Sequence, residues 1–146
     1  MNVRRGQFLI STDKRRLELN SIAEYLAGSY WAQGRPKEVV EKSLQHSECF
    51  GLYDEEGGDK QIGFARVITD YATYAYLADV FVLEPYRGRG LGKWLVKTVL
   101  SHPDLVTCRW ELGTKDAHAL YAQFGFGRPT SDRAMKRVSV KMKGLE

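Results

Sequence analysis

Arg87-Gly88-Arg89-Gly90-Leu91-Gly92 lies between an apolar run ending at Leu83 and a second apolar segment beginning at Leu91. Three glycines alternate at the point where a strand pattern gives way to a helix pattern. Glycine permits positive φ and close approach of backbone to a ligand. The first turn of the following helix adds unpaired N–H groups and the positive end of its dipole. Arg87, Arg89 and Lys93 place full positive charges around the same point. The segment therefore reads as a cradle for a pyrophosphate.

Spacing removes two other phosphate motifs. A Walker A loop needs glycine five positions before its Gly-Lys pair and Ser or Thr after it. Those positions hold Arg87 and Trp94. A dinucleotide fingerprint needs G-x-G-x-x-G, and the sixth position counted from Gly88 is Lys93. Arg-x-x-Gly-x-Gly remains.

Working outward, Tyr74 to Leu83 is a strongly apolar strand, and Gln61 to Thr69 and Glu48 to Tyr53 are two more. Short turns at 54–59 and 70–72 make these three antiparallel. Upstream, Phe8-Leu9-Ile10 reads as a first strand. Two amphipathic helices follow, over 13–27 and from Pro36 through Leu44. Downstream, a helix carrying Leu91, Trp94, Leu95, Thr98, Val99 and Leu100 ends near Ser101-His102-Pro103, and Leu105 to Leu112 is a strand. A helix capped by Asp116 carries Ala117, Leu120, Tyr121 and Phe124, and a last strand runs from about 134 to 142. The order β-α-α-β-β-β-α-β-α-β describes an α+β fold with a mixed, mostly antiparallel sheet flanked by helices. Strand-helix-strand passage through 76–111 predicts one parallel pair. No linker or repeat divides residues 1–146, so a single domain is expected.

Composition limits the function. The chain has 146 residues, enough to bury a core without staples. A net charge of +4 suits a polyanionic small ligand, while the scattered arginines match no nucleic-acid motif. Cys49 and Cys108 lack metal or redox spacing and read as reduced, buried thiols. No histidine or acidic cluster indicates a metal. Met1 to Gln7 is polar and basic, without the apolar core of a secretory signal, and no run spans a bilayer, so neither membrane nor nucleic acid is an expected partner and the expected location is cytoplasmic.

Asp79-Val80-Phe81-Val82-Leu83-Glu84-Pro85-Tyr86-Arg87-Gly88-Arg89-Gly90-Leu91-Gly92 resembles the acetyl-CoA signature of the GNAT superfamily of N-acetyltransferases. Ala117-His118-Ala119-Leu120-Tyr121-Ala122-Gln123-Phe124-Gly125-Phe126 is similar to the family's later helix, which ends in Tyr-x-x-x-Gly-Phe. One strand fits between the two blocks. Thr114 stands seven positions before Tyr121, where many members carry Asn.

The resemblance implies acetyl transfer from acetyl-CoA, without a metal, to a primary amine of a small molecule by direct attack in a ternary complex. It implies that Phe81, Val82 and Leu83 pair with the pantetheine arm, and that residues 87–93 hold the pyrophosphate. The Val82 N–H is then the donor to the thioester carbonyl, and Tyr121 the acid for the departing thiolate. Asp79 is a candidate base or an attractor of the substrate, with a fixed structural carboxylate as the alternative. Ala78 replaces a Glu found in polyamine-acetylating members, which argues against a polyamine. Tyr30 and Trp31 are the best candidates to line the acceptor pocket, ahead of Tyr71, Tyr74 and Tyr76. Family members often form dimers, so a homodimer stays open. The alternative reading is a non-catalytic CoA-binding or sensing domain.

Overall fold

The computed structural model describes residues 1–129 and 132–138. Its centre is a six-stranded sheet whose strands lie side by side in chain order. These are β1 (Asn2–Arg5), β2 (Phe8–Ser11), β3 (Glu48–Asp54), β4 (Lys60–Thr69), β5 (Tyr74–Val82) and β6 (Arg109–Leu112). Pairing is antiparallel through β5 and parallel between β5 and β6. The expected α+β class, the antiparallel trio and the single parallel pair are all present.

Two helices, α1 (Leu19–Ala27) and α2 (Lys37–Gln45), cover one face. Ile22, Leu26, Val40 and Leu44 bury there against Cys49, Phe64 and Phe81. On the other face α3 (Leu91–Leu100) packs Leu91, Leu95 and Val99 onto Phe50, Leu52, Ile62 and Leu77. Strand alternation accounts for this division, since Cys49 and Phe50 are neighbours that point to opposite sides.

β5 breaks the alternation once. Ala75 and Leu77 belong to the α3 face, yet Phe81, at the same parity, belongs to the α1–α2 face. Asp79 lies between them with φ +54°, and the β4 register shifts between Phe64 and Arg66. An extra residue accommodated this way turns the strand over locally. It delivers Asp79 and Phe81 to the side where the α1–α2 loop lies.

Several boundaries differ from expectation. β1 is an additional strand, joined to β2 through Gly6 at φ +59°. It is an edge strand that buries almost nothing, so it lacks an apolar pattern. The first helix begins at Leu19, because Asp13 caps only a 3-10 turn over Lys14–Arg16. Glu18 and Gln61 then exchange side-chain and backbone hydrogen bonds at 2.6 and 2.9 Å where α1 starts. Residues 102–108 form turns that bury Leu105, which leaves β6 only four residues. The final helix, α4, spans His118–Ala122. The expected last strand is absent over 134–138, where Met135 is 98% exposed; 139–142 lie outside the described residues.

Candidate active site

β5 is two-sided only at its beginning. Its last rung with β6 is Leu77 with Leu112, so Ala78 to Val82 present a free backbone edge on that side. The Leu83 N–H donates to the Ile62 carbonyl at 2.8 Å, toward β4. Backbone groups alternate sides along a strand, so the Val82 N–H points the opposite way, into the gap. The Val82 carbonyl on that edge accepts from Arg87 Nε at 2.9 Å. A cleft of about 1540 Å³ follows this gap, running from Arg87 and Gly92 at one end to Arg35 and Arg66 at the other.

The α3 end is made of backbone. Gly88 and Gly90 have φ of +80° and +75°, a region that side chains enter only with strain. Gly90 is the N-cap of α3 and brings no side-chain acceptor. The first intrahelical bond runs from Trp94 N to Gly90 O, so the N–H groups of Leu91, Gly92 and Lys93 have no acceptor within the helix. Gly92 is ordinary helix, and a Cβ there would merely touch Val82 Cγ2 at 4.0 Å. Arg87 Nη2 donates to the Tyr25 hydroxyl at 2.8 Å, and Tyr25 stacks on Phe81 at 3.9 Å. Arg89 lies over Tyr86 at 5.4 Å. From β1, Arg5 reaches across to donate to the Gly90 carbonyl at 3.4 Å while lying over Trp94 at 4.7 Å.

The opposite end is made of side chains. Asp79, its side chain 2% exposed, accepts from Trp31 Nε1 at 3.0 Å on Oδ1. On Oδ2 it accepts from Arg35 Nη1 at 2.9 Å and Arg66 Nε at 2.8 Å. Arg66 also donates through Nη1 to Ser47 Oγ at 3.1 Å. Three donors thus fill most of the acceptor capacity of this carboxylate. Breaking so buried an arrangement would strand a charge in a poor solvent.

Tyr121, on α4, is half-buried in the cleft wall. Burial pushes its phenol pKa up, and Tyr30 and Asp116 add to the effect, so the proton is retained throughout the neutral range. Thr114 Oγ1 accepts from the Ala117 N–H at 3.1 Å at the start of α4. Tyr30, 53% exposed, spans the cleft mouth. Its hydroxyl accepts from the Lys115 N–H at 3.2 Å, and Lys115 Nζ lies 5.5 Å from its ring. Among the other aromatics, Tyr76 lines the cleft, Tyr74 donates to Glu111 at 3.0 Å, and Tyr71 is an exposed turn residue.

The cleft therefore brings together Phe81, Val82, Leu83, Arg87 and Gly92 with Tyr30, Trp31, Asp79 and Tyr121. Gly88, Arg89, Gly90, Leu91 and Lys93 complete the turn beside it. Sequence reading did not find Arg5, Tyr25, Arg35, Ser47, Arg66 or Lys115. Arg66 alone left a signal, as a single charge inside the apolar run Ile62 to Ile68. Both cysteines are buried, and desolvation pushes the Cys49 thiol up to about 11. Among the described residues no cluster of His, Cys, Asp or Glu could hold a metal, and no helix is long and apolar enough to cross a membrane.

Residues 45–128 match the family profile of the acetyltransferase (GNAT) domain, more than half of the chain. The chain belongs to the GNAT family of acetyltransferases. A candidate acetyltransferase of this family from Xanthomonas campestris pv. campestris has 43% identity and a TM-score of 0.86, over 90% of this chain and 93% of that one. A candidate acetyltransferase of Gibberella zeae is 32% identical over 113 residues, 66% of this chain and 64% of that protein. The match thus spans a little under two thirds of that relative's length. Glucosamine-6-phosphate N-acetyltransferase from Arabidopsis thaliana shares the GNAT fold at 17% identity, with a TM-score of 0.60 over 88% of this chain and 97% of its own.

Proposed function

We propose that this chain is an acetyl-CoA-dependent N-acetyltransferase acting on a primary amine of a small molecule, with residues 1–146 working as one domain. The observation that carries the reading is the continuity of three features. A free β5 edge leads, through a 3-10 turn over Glu84–Tyr86, into a left-handed glycine turn at the α3 N-terminus, and a protonated phenol faces the same cleft.

These residues fit acetyl-CoA. The N–H groups of Leu91, Gly92 and Lys93 suit the pyrophosphate, with Arg87, Arg89 and Arg5 adding charge. Phe81, Val82 and Leu83 suit the amide-bearing pantetheine arm, which would extend the sheet as an added strand. Acetyl-CoA supplies an activated acetyl thioester.

The acceptor amine must arrive uncharged and attack the thioester carbon, held in place by the cleft. As the C–N bond forms, negative charge on the carbonyl oxygen is met by the Val82 N–H, a fixed dipole that needs no reorganisation. The C–S bond then breaks, and Tyr121 gives its proton to the leaving sulfur. The surplus amine proton passes to water in the cleft, from which Tyr121 is reprotonated. Asp79 is assigned a positioning role rather than that of the base, because its oxygens already serve Trp31, Arg35 and Arg66. It fixes the α1–α2 loop against β5.

Thiol-release kinetics with Tyr121→Phe test the chemistry. Turnover is expected to fall about a hundredfold, within the range of a lost general acid, with acetyl-CoA affinity retained. Unchanged turnover removes Tyr121 from the mechanism.

A further inference from the structure

We infer that the acceptor carries an anionic group, a carboxylate or one of like geometry, which docks on Arg66; this rests on the transferase reading above. Arg66 is 91% buried, being 9% exposed, and stands in β4 facing the α1–α2 loop. Its Nε–H goes to Asp79 and one Nη1–H to Ser47. A guanidinium has five N–H donors, so its Nη2 edge is left over. No nitrogen of Arg66 is both sealed from solvent and unpartnered, since Tyr53 Oη is the only such side-chain atom among the described residues. Arg66 lines the cleft, and Nη2, without a partner and not sealed from solvent, is the edge assigned to it.

The placement selects the acceptor's end rather than the coenzyme's. Asp79, which holds Arg66, precedes Val82 by three residues on β5, a span of roughly 10 Å at strand rise. The coenzyme leaves Val82 in the other direction, toward Gly88 and α3. Among the described residues the only carboxylate paired with Arg66 is Asp79, and its Oδ2 is divided between Arg66 and Arg35. A planar guanidinium edge facing the cleft matches a planar carboxylate better than any neutral group. Because the amine sits near Val82 and the anion near Arg66, the two groups are separated by a chain of several atoms. That describes an extended amino acid whose amine is remote from its carboxylate.

A thiol-release comparison tests this with the full chain and acetyl-CoA. The panel pairs ω-amino carboxylates of three to six carbons with alkylamines of equal length. The carboxylates are expected to be favoured in kcat/KM by about tenfold or more, the scale of a charge-assisted hydrogen bond, with preference rising toward the longer members. Arg66→Lys keeps the charge beside Asp79 but loses the planar fork, and should lower the carboxylate-to-alkylamine ratio toward one. Equal or better turnover of the alkylamines by the wild type contradicts the dock and leaves the transferase intact. Failure of every amine to release thiol, with acetyl-CoA bound, contradicts the transferase reading and the dock with it.

Discussion

At the α3 end of the cleft the chain offers backbone: the free edge of Ala78 to Val82, two glycines at positive φ, and the first N–H groups of a helix. At the α1–α2 loop end it offers side chains, drawn from positions 31, 35, 47, 66 and 79 and locked around one carboxylate. A backbone-built site depends on conformation and tolerates changes in neighbouring side chains. The side-chain-built site depends on each partner and is coupled to stability. One fold can therefore keep the same donor end while the acceptor end varies.

The largest expected effect is on the side-chain end. Asp79→Ala leaves Arg66 and Arg35 without their shared carboxylate, which should cost about 3–5 kcal/mol of stability. Thermal unfolding would read this as a loss of roughly 10 °C; an unchanged melting point means the network contributes nothing. Gly90→Asp attacks the backbone end. It forces a side chain into φ +75° and sets a carboxylate against the anion site, so acetyl-CoA binding should weaken about a hundredfold while the fold persists. Retained affinity would dissociate the turn from the coenzyme. The two variants together separate stability from donor binding.

Legibility in the sequence divides along the same line. Gly88, Gly90 and Gly92 alternate within five residues, and Tyr121 stands at fixed spacing before Gly125-Phe126, so the donor end could be read directly. Backbone demands leave local marks. The network around Asp79 spans 49 positions of sequence, from Trp31 to Asp79, and exists only because a bulge turns β5 over. Nothing in Tyr-Leu-Ala-Asp-Val-Phe-Val announces that Asp79 adopts φ +54°. Arg5 was illegible for another reason. β1 is an exposed edge whose pairing rests on backbone hydrogen bonds, and it shows no periodicity.

Smaller effects sharpen the contrast at the rim and in the core. Tyr30→Ala removes the hydroxyl contact to Lys115 and the ring beneath its ammonium group. Acceptor KM should rise about threefold with acetyl-CoA affinity unaltered; an effect on the coenzyme instead would move Tyr30 to the other end. Cys49 sits in the core between the helices and the sheet. Its folded pKa of about 11 exceeds the ordinary value of 9.0 because burial penalises the thiolate. The folded chain holds this proton more tightly than the unfolded one. The associated stability is complete below about pH 9 and fades as pH climbs through about 11. Alkylation of the native protein at pH 8 should therefore spare Cys49; rapid labelling there would show that the helices do not seal it.

Calorimetric titration of the wild-type chain with acetyl-CoA bears most directly on the central claim, that the β5 edge and the glycine turn form a coenzyme site. Saturable binding at one site per chain, weakened about a hundredfold in Gly90→Asp and preserved in Tyr121→Phe, is the predicted result. Absence of binding by the wild type, or equal binding by Gly90→Asp, would contradict it.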